Sequence, residues 1–277
     1  MSDDCPETPA LMQLADKVRR LQEILLAASR VAVAFSGGVD SSLLLKTALD
    51  TLGAGNVLPL FASSLLVTAA DRERALTWPE RHGYGKGVTV EAVELYPLTW
   101  KDFVLNPPER CYLCKFRVYS QFIDVMERGG IKVLMDGTNT DDLKDRRPGL
   151  RAIHELGVRT PLVEAGFSKD DVRARSRELG LDSWQQPSSS CLATRLPHGM
   201  AVTGERLQEV ARHEQALAGL GFAGCRVRLD RQDSGVVYVQ VQQADLDRLL
   251  DPGMRMAVTR LFGKQGVGRV FLDLAGR

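Results

Sequence analysis

The chain lacks an excess of charge of either sign. Its 36 Lys and Arg residues face 35 Asp and Glu, a net charge of +1 over 277 residues. A dedicated nucleic-acid binder carries a basic excess, so this balance argues against RNA or DNA as the partner. No long uncharged apolar run is present either, and that excludes an apolar membrane-spanning helix. Met1 to Pro9 are acidic and polar, without the basic-then-apolar order of a secretory leader. These absences point to a cytoplasmic protein with no membrane partner. Cysteine is also scarce: five thiols in a chain of this length do not make a disulfide framework. Internal repeats and low-complexity tracts are missing. What is present is 44% hydrophobic residues, enough for a sizeable core.

Leu11, Leu14, Val18, Leu21 and Leu25 recur at spacings of three and four, the mark of an amphipathic helix. An apolar run then reads Val31 to Phe35 and suits a buried parallel strand. Helix follows from about Asp40 to Leu52, strand over Val57 to Ala62, helix over Asp71 to His82 that Pro79 kinks or ends, and strand over Val88 to Val93. The pattern continues with helix over Arg110 to Arg128 and strand over Val133 to Asp136. Strands alternating with helices predict an α/β domain whose parallel sheet is covered on both faces, with its ligand at the carboxyl ends of the strands. Ser168 is a helix N-cap, and Gln185 to Ser190 form a polar stretch that leads into Cys191. Beyond residue 200 the pattern changes. Thr203 caps a helix to Leu220, and Arg226 to Leu229 and Val236 to Val241 alternate like antiparallel strands around a turn at Asp233 to Gly235. Helices near Asp245 to Leu250 and Met254 to Phe262 and a strand over Val270 to Leu274 complete a small α+β domain. The expected division is therefore 1–199 and 200–277.

Between the first strand and its helix lie Ser36, Gly37, Gly38, Val39, Asp40, Ser41 and Ser42. The glycines let the backbone turn tightly and approach a ligand. Amides of Val39 to Ser42 then point outward at a helix N-terminus, where the dipole favours an anion. The serines add hydroxyl donors. Asp40 repels phosphate unless a divalent cation bridges them, which marks it as a Mg²⁺ contact. The lysine of a Walker A loop is absent. This loop resembles the SGGxDS loop of the PP-loop ATP pyrophosphatases, which release pyrophosphate and transfer AMP. Asp136-Gly137-Thr138-Asn139 ends the fourth strand at the same edge of the sheet. By that resemblance Asp142, just after the turn, is a second Mg²⁺ contact. Ser63, just past the second strand, is placed as a nucleotide neighbour.

Cys111 and Cys114 stand three apart on a helix and so share a face. A CxxC pair by itself fits a redox dithiol or half of a zinc site. Arg110 and Lys115 beside the pair favour thiolates. Cys191 sits on a polar loop with Arg195 and His198 near it, groups that lower a thiol pKa. Cys5, in the polar N-terminal tail, and Cys225, at the start of a strand, read as structural or neutral. Cys111, Cys114 and Cys191 suit a [4Fe–4S] cluster with one iron left open, since full ligation takes four cysteines. Zinc on the same thiols is the competing reading.

Taken together, the chain resembles the LarE family of PP-loop sulfur transferases. The resemblance is carried by FSGGVDSS (Phe35 to Ser42), RCYLCK (Arg110 to Lys115), DGTN, RRPGLRA (Arg146 to Ala152), ELGVRTPL (Glu155 to Leu162), SRELGL (Ser176 to Leu181) and SCLATRLPHG (Ser190 to Gly199). RVR (Arg226 to Arg228) and FLDL (Phe271 to Leu274) extend it into the last domain. It implies a small-molecule substrate, pyridinium-3,5-biscarboxylic acid mononucleotide, whose carboxylates are adenylated with ATP and converted to thiocarboxylates. It implies two routes for the sulfur: in one branch the cysteine matching Cys191 gives up its own sulfur, and in the other a CxxC pair joins it in holding a [4Fe–4S] cluster. Cys111 and Cys114 select the cluster branch. Glu214, Arg226 and Arg228 match family positions near the sulfur-transfer site, and arginines bind a carboxylate or phosphate by paired hydrogen bonds. The family also implies a homo-oligomer, a hexamer. Leu229-Asp230-Arg231 depart from the His-Gly pair expected after Arg228. A tRNA thiolase, an amidating ligase of the NAD synthetase kind and a non-catalytic nucleotide- or zinc-binding regulator are the rival readings.

Overall fold

The computed structural model describes residues 9–144 and 148–277, with side chains from residue 13 onward. Cys5, and Arg146 and Arg147 of the RRPGLRA motif, lie outside the described residues. The chain divides into two compact units. The first comprises the chain up to Ser63, Ala69–Leu95 and Cys111–Gln186. The second takes in Ser64–Thr68 and Tyr96–Arg110 as well as Pro187–Arg277, so it draws on segments that a division at residue 199 leaves with the larger domain. No helix among the described residues is long and apolar enough to cross a membrane.

In the first unit, strands β1 (Val31–Ala34), β2 (Val57–Ser63), β3 (Glu91–Glu94) and β4 (Leu134–Asp136) form a parallel sheet in the order β3-β2-β1-β4. All four residues of β1 are buried, as a central parallel strand requires. Helix α1 (Pro9–Ala28) leads into β1, α2 (Val39–Leu52) connects β1 to β2, and α3 (Ala69–Leu76) and α4 (Trp78–Arg81) lie between β2 and β3. A short α5 (Lys101–Val104) belongs to the second unit, and α6 (Arg110–Arg128) precedes β4. After β4 come α7 (Pro148–Glu155), α8 (Pro161–Glu164) and α9 (Lys169–Glu178). One face of the sheet, with Ala32, Ala34, Leu60 and Leu134, packs on Tyr119, Phe122 and Met126 of α6 and Ile153 of α7. Helix α2 packs against β1, α1 and α9. Leu14, Leu21 and Leu25 of α1 are buried, as their helical spacing predicts. The α/β expectation is borne out.

The segment Asp71 to His82 is broken into two helices, as Pro79 signals: it sits in the first turn of α4, where its missing N–H costs nothing, and it does not carry α3 onward. Two local expectations shift. The third strand is Glu91–Glu94, placed by its ladder to Leu60–Ser63 of β2 and not by its own apolar residues. The helix expected over Asp245 to Leu250 is a pair of 3₁₀ turns, Gln243–Asp245 and Asp247–Leu249.

The second unit carries α10 (Gly204–Gly219), β5 (Arg226–Leu229), β6 (Val236–Gln240), α11 (Pro252–Gly263) and β7 (Arg269–Leu272). Strands β5 and β6 are antiparallel, as read from the sequence, and β7 adds to β6 in parallel. Val227, Leu229, Val237 and Val239 are buried with Leu217 of α10 and Phe262 of α11. Arg228, Tyr238 and Phe271 stand on the opposite, exposed face, where Tyr238 and Phe271 stack at 5.3 Å.

Candidate active site

The loop of the first unit is built by its glycines and serines. Gly37 has φ +74°, and a Cβ there would lie 3.3 Å from the Cβ of Ala75. Gly38 is the N-cap of α2 in extended conformation and offers no side-chain cap, so the first amides of the helix face outward. Ser41 holds the loop together: its hydroxyl accepts from the Ser36 N–H at 3.2 Å, donates to the Gly38 carbonyl at 3.2 Å and lies 3.0 Å from the Ser36 hydroxyl. Ser42 is buried, and its hydroxyl has no protein partner. Ser36 is exposed and Val39 is buried. Of the three serines, Ser36 presents its hydroxyl to solvent, while Ser41 and Ser42 support the turn from within.

The turn after β4 packs directly on this loop. A Cβ on Gly137 would stand 2.9 Å from the Ser41 nitrogen and 3.0 Å from the Asp40 carbonyl carbon. Only glycine allows that approach. Asn139 donates from Nδ2 to Asp40 Oδ1 at 3.0 Å and caps the 3₁₀ turn Thr140–Leu143. Asp142 completes the capping box, accepting from the Asn139 N–H at 3.1 Å. Lys169, the first residue of α9, places its ammonium on Asp40 Oδ2 and donates its backbone N–H to Asp141 at 2.6 Å. The sequence reading missed Lys169. Its only signal was position, directly after the Ser168 N-cap. Ser63, at the carboxyl end of β2, is buried and accepts from Arg72 Nε at 3.0 Å.

Asp136 joins the turn to α6. Its carboxylate accepts from the Thr138 N–H at 2.8 Å, from the Thr138 hydroxyl and from the Tyr119 hydroxyl, and pairs with Lys115 Nζ at 3.4 Å. Burial opposes its ionisation, but Lys115 and these hydrogen bonds outweigh burial and hold the carboxyl below its usual range. Burial, then the Asp136 charge, pushes the Tyr119 phenol well up. Lys115 is thus engaged with Asp136. Cys111 and Cys114 are half-buried, one turn apart on α6, and neither is in a disulfide.

In the second unit, Cys191 is the half-buried N-cap of the 3₁₀ turn Leu192–Arg195. Arg195 is buried and forks onto Glu214 at 2.7 and 3.1 Å, while its Nη1 donates to the carbonyls of Ser190 at 2.8 Å and Cys191 at 3.2 Å. Glu214 also accepts from the Val227 N–H at 3.0 Å, tying α10 to β5. Arg228 reaches the Thr194 carbonyl at 3.2 Å and Gln240 at 3.3 Å. Arg226 reaches the Ser188 carbonyl at 3.3 Å, and its Nε is buried without a partner. Desolvation, then the charges of Arg277, Arg195 and Arg228, lowers the Arg226 guanidinium to about 10. Such crowding of like charge suits an anion. Arg277, which the sequence reading did not single out, donates to Ser188 at 2.6 Å and to the Gly224 carbonyl. This unit therefore brings Cys191, Arg195, Glu214, Arg226 and Arg228 to one place. His198 is exposed. Cys225 is buried and its thiol is pushed up to about 12, first by burial and then by Glu214, which fits a structural role. Among the described residues, no three His, Cys, Asp or Glu side chains gather as a metal site.

A four-stranded parallel sheet with a serine–glycine loop at the carboxyl end of its inner strand β1 is the fold of a PP-loop ATP pyrophosphatase. No family model matches the chain. It is similar to the pyridinium-3,5-bisthiocarboxylic acid mononucleotide synthase of Lactiplantibacillus plantarum, with 36% identity covering 95% of this chain and 92% of the relative. An uncharacterised protein of Synechocystis sp. is 32% identical over 95% of each chain. One of the subunits of a glutamine-hydrolysing GMP synthase of Thermoplasma acidophilum is 30% identical over 57% of this chain and 54% of its own. By the length and identity of the first of these matches, the chain belongs to the LarE family.

Proposed function

We propose that this chain uses ATP to adenylate the carboxylates of pyridinium-3,5-biscarboxylic acid mononucleotide and converts them to thiocarboxylates, as in nickel-pincer nucleotide synthesis. The observation that carries this reading is the Ser36–Ser42 loop, at the carboxyl end of β1, in a chain similar along its length to a synthase of the corresponding bisthiocarboxylic acid. The uncapped amides of α2 and the Ser36 hydroxyl hold the β and γ phosphates. A substrate carboxylate oxygen attacks the α phosphorus, the bond to the bridging oxygen breaks, and pyrophosphate leaves. The carboxyl is now an acyl-adenylate with a good leaving group, so a sulfur nucleophile displaces AMP. Arg226 and Arg228 bind an anionic group of the substrate, and Arg195 and Glu214 hold the turn that begins at Cys191.

Asp40 and Asp142 are the Mg²⁺ contacts of this reading. Asp40 would offer its carboxylate to Mg²⁺ beside the phosphates while sharing it with the Lys169 ammonium. When bound there, Mg²⁺ would supply charge neutralisation for the leaving pyrophosphate. Cys111, Cys114 and Cys191 are thiols of the right type and would hold a [4Fe–4S] cluster, two of them from one helical turn; when bound it would supply the sulfide. The second reading takes the sulfur from Cys191 itself and leaves dehydroalanine there. It needs only Cys191, whose turn Arg195 and Glu214 hold within a single unit. Neither reading uses RNA, and both place a homo-oligomer, a hexamer by family resemblance, in the cytoplasm.

The test is anaerobic incubation with ATP, Mg²⁺ and the pyridinium acid, following pyrophosphate, AMP and the mass of the product. Acid-dependent pyrophosphate release with a thiocarboxylate product is expected, and its absence overturns the reading. Iron and sulfide analysis, with mass mapping of the Cys191 peptide after turnover, separates the two sulfur sources.

A further inference from the structure

Asn106 is completely buried and has φ +54°, a left-handed backbone that asparagine tolerates better than most residues. Its amide donates to the carbonyls of Pro197 and Met200, each at 2.9 Å. Its side-chain oxygen accepts from Arg110 Nη1, and its backbone carbonyl accepts from the Gly199 N–H at 2.8 Å. Arg110 is 3% exposed, and the same Nη1 donates to the Ala193 carbonyl at 2.9 Å. Arg110 thus bonds both the Asn106 side chain and the Ala193 backbone. From a third segment, the Leu66 carbonyl accepts from the Leu192 N–H at 3.0 Å. All of these residues lie within the second unit.

Burying a guanidinium and an amide is costly unless their hydrogen bonds are made. Here those bonds go to the backbone of one irregular loop, at Ala193 inside the turn that runs from Cys191 to Arg195 and at Pro197, Gly199 and Met200 just after it. Apolar residues would fill the same volume without fixing those carbonyls. We propose that Asn106 and Arg110 are positioning residues for sulfur transfer: they set the conformation of the turn that presents Cys191 and Arg195. The proposal rests on the reading of Cys191 as the thiol through which sulfur is delivered. Arginine is required at residue 110 because its rigid guanidinium plane fixes the one Nη1 that donates to both Asn106 and Ala193, a placement that a lysine ammonium on a flexible stem does not hold.

The test uses Arg110→Lys, which keeps the charge, and Asn106→Gly, which keeps the left-handed backbone without strain. Each is compared with the native protein for acid-dependent pyrophosphate release, thiocarboxylate formation and the alkylation rate of Cys191 by peptide mass mapping. Expected are near-native pyrophosphate release, a loss of about 100-fold in thiocarboxylate formation, the penalty for misplacing a reacting group by about an ångström, and an altered alkylation rate at Cys191. Native thiocarboxylate formation in both variants overturns the proposal. So does loss of pyrophosphate release in the same proportion as thiocarboxylate, which marks general destabilisation. Should the native protein form no thiocarboxylate, the functional reading fails by itself. The alkylation measurement then decides the positioning claim, and an unchanged Cys191 rate in both variants overturns it.

Discussion

The Lys169 ammonium rests on the Asp40 carboxylate, so the acid of the phosphate loop already carries a cation from the first turn of α9. Removing that cation leaves a negative charge facing the triphosphate. Lys169→Met is expected to weaken ATP in the pyrophosphate-release assay by about tenfold, roughly 1.4 kcal/mol. Raising Mg²⁺ restores part of the loss, since a divalent ion takes over the neutralisation of Asp40. A variant with the native KM for ATP at low Mg²⁺ contradicts this.

Gly137 leaves no room for a methyl group, because the Ser41 nitrogen would be 2.9 Å from its Cβ. That nitrogen, the Ser41 Cα and the Asp40 carbonyl carbon are all backbone, so the loop must move. Gly137→Ala is expected to cost about 1–3 kcal/mol of stability by overpacking. It also displaces the amides that hold phosphate, and pyrophosphate release falls by about 100-fold. Denaturant unfolding and the release assay read the two effects separately. Native activity in the variant shows that the turn and the loop are not rigidly coupled.

Much of this arrangement was legible in the sequence because it is local. The Val31 to Phe35 run, the glycine pair and the serines after it specify a strand, a turn and a helix start without help from the rest of the chain. The edge strand β3 was misplaced because its pairing partner Leu60–Ser63 sets its register, and Val88 and Val90 are buried outside the ladder. Lys169 was invisible for a different reason: it meets Asp40 across 129 residues of sequence, and nothing near Lys169 signals that partner. Asn106 and Arg110 were likewise unremarkable, since their partners Ala193, Pro197 and Met200 are backbone carbonyls, which any sequence supplies.

The Arg195–Glu214 pair is nearly dry, with side-chain exposures of 6% and 13%. Losing one partner of a buried pair strands the other charge, at a cost of about 3–5 kcal/mol. Glu214→Ala is therefore expected to lower the unfolding midpoint in urea far more than Arg228→Ala, whose side chain is exposed. Equal midpoints for the two variants refute a structural role for the pair.

Cys225 provides an internal standard for thiol reactivity. Burial and the Glu214 charge keep its thiol protonated to about pH 12. At pH 8 iodoacetamide is expected to label Cys111, Cys114 and Cys191 before Cys225, as read by peptide mass. Early labelling of Cys225 in the native protein rules out its buried, structural assignment.

Asp136 and Tyr119 predict the acid limb of stability. Burial disfavours the Asp136 carboxylate, yet Lys115, Thr138 and Tyr119 together hold its pKa below the unfolded value of about 3.9. A depressed carboxylate contributes stability that is complete above the unfolded pKa and is lost as pH falls through the folded one. Tyr119→Phe deletes one donor, so the folded pKa rises toward the unfolded value and the gain from ionising Asp136 shrinks. The variant is expected to be about 1 kcal/mol less stable at neutral pH. Its stability should also fall less steeply between pH 4 and the acid midpoint, because fewer protons are taken up on unfolding there. The raised Tyr119 phenol acts at the other end: its contribution is present below the ordinary phenol pKa of about 10 and is lost above it, so the variant also loses the alkaline part of the profile. Urea melts across the pH range check both limbs. A Tyr119→Phe profile parallel to the native one at every pH means that the hydroxyl does not couple to Asp136.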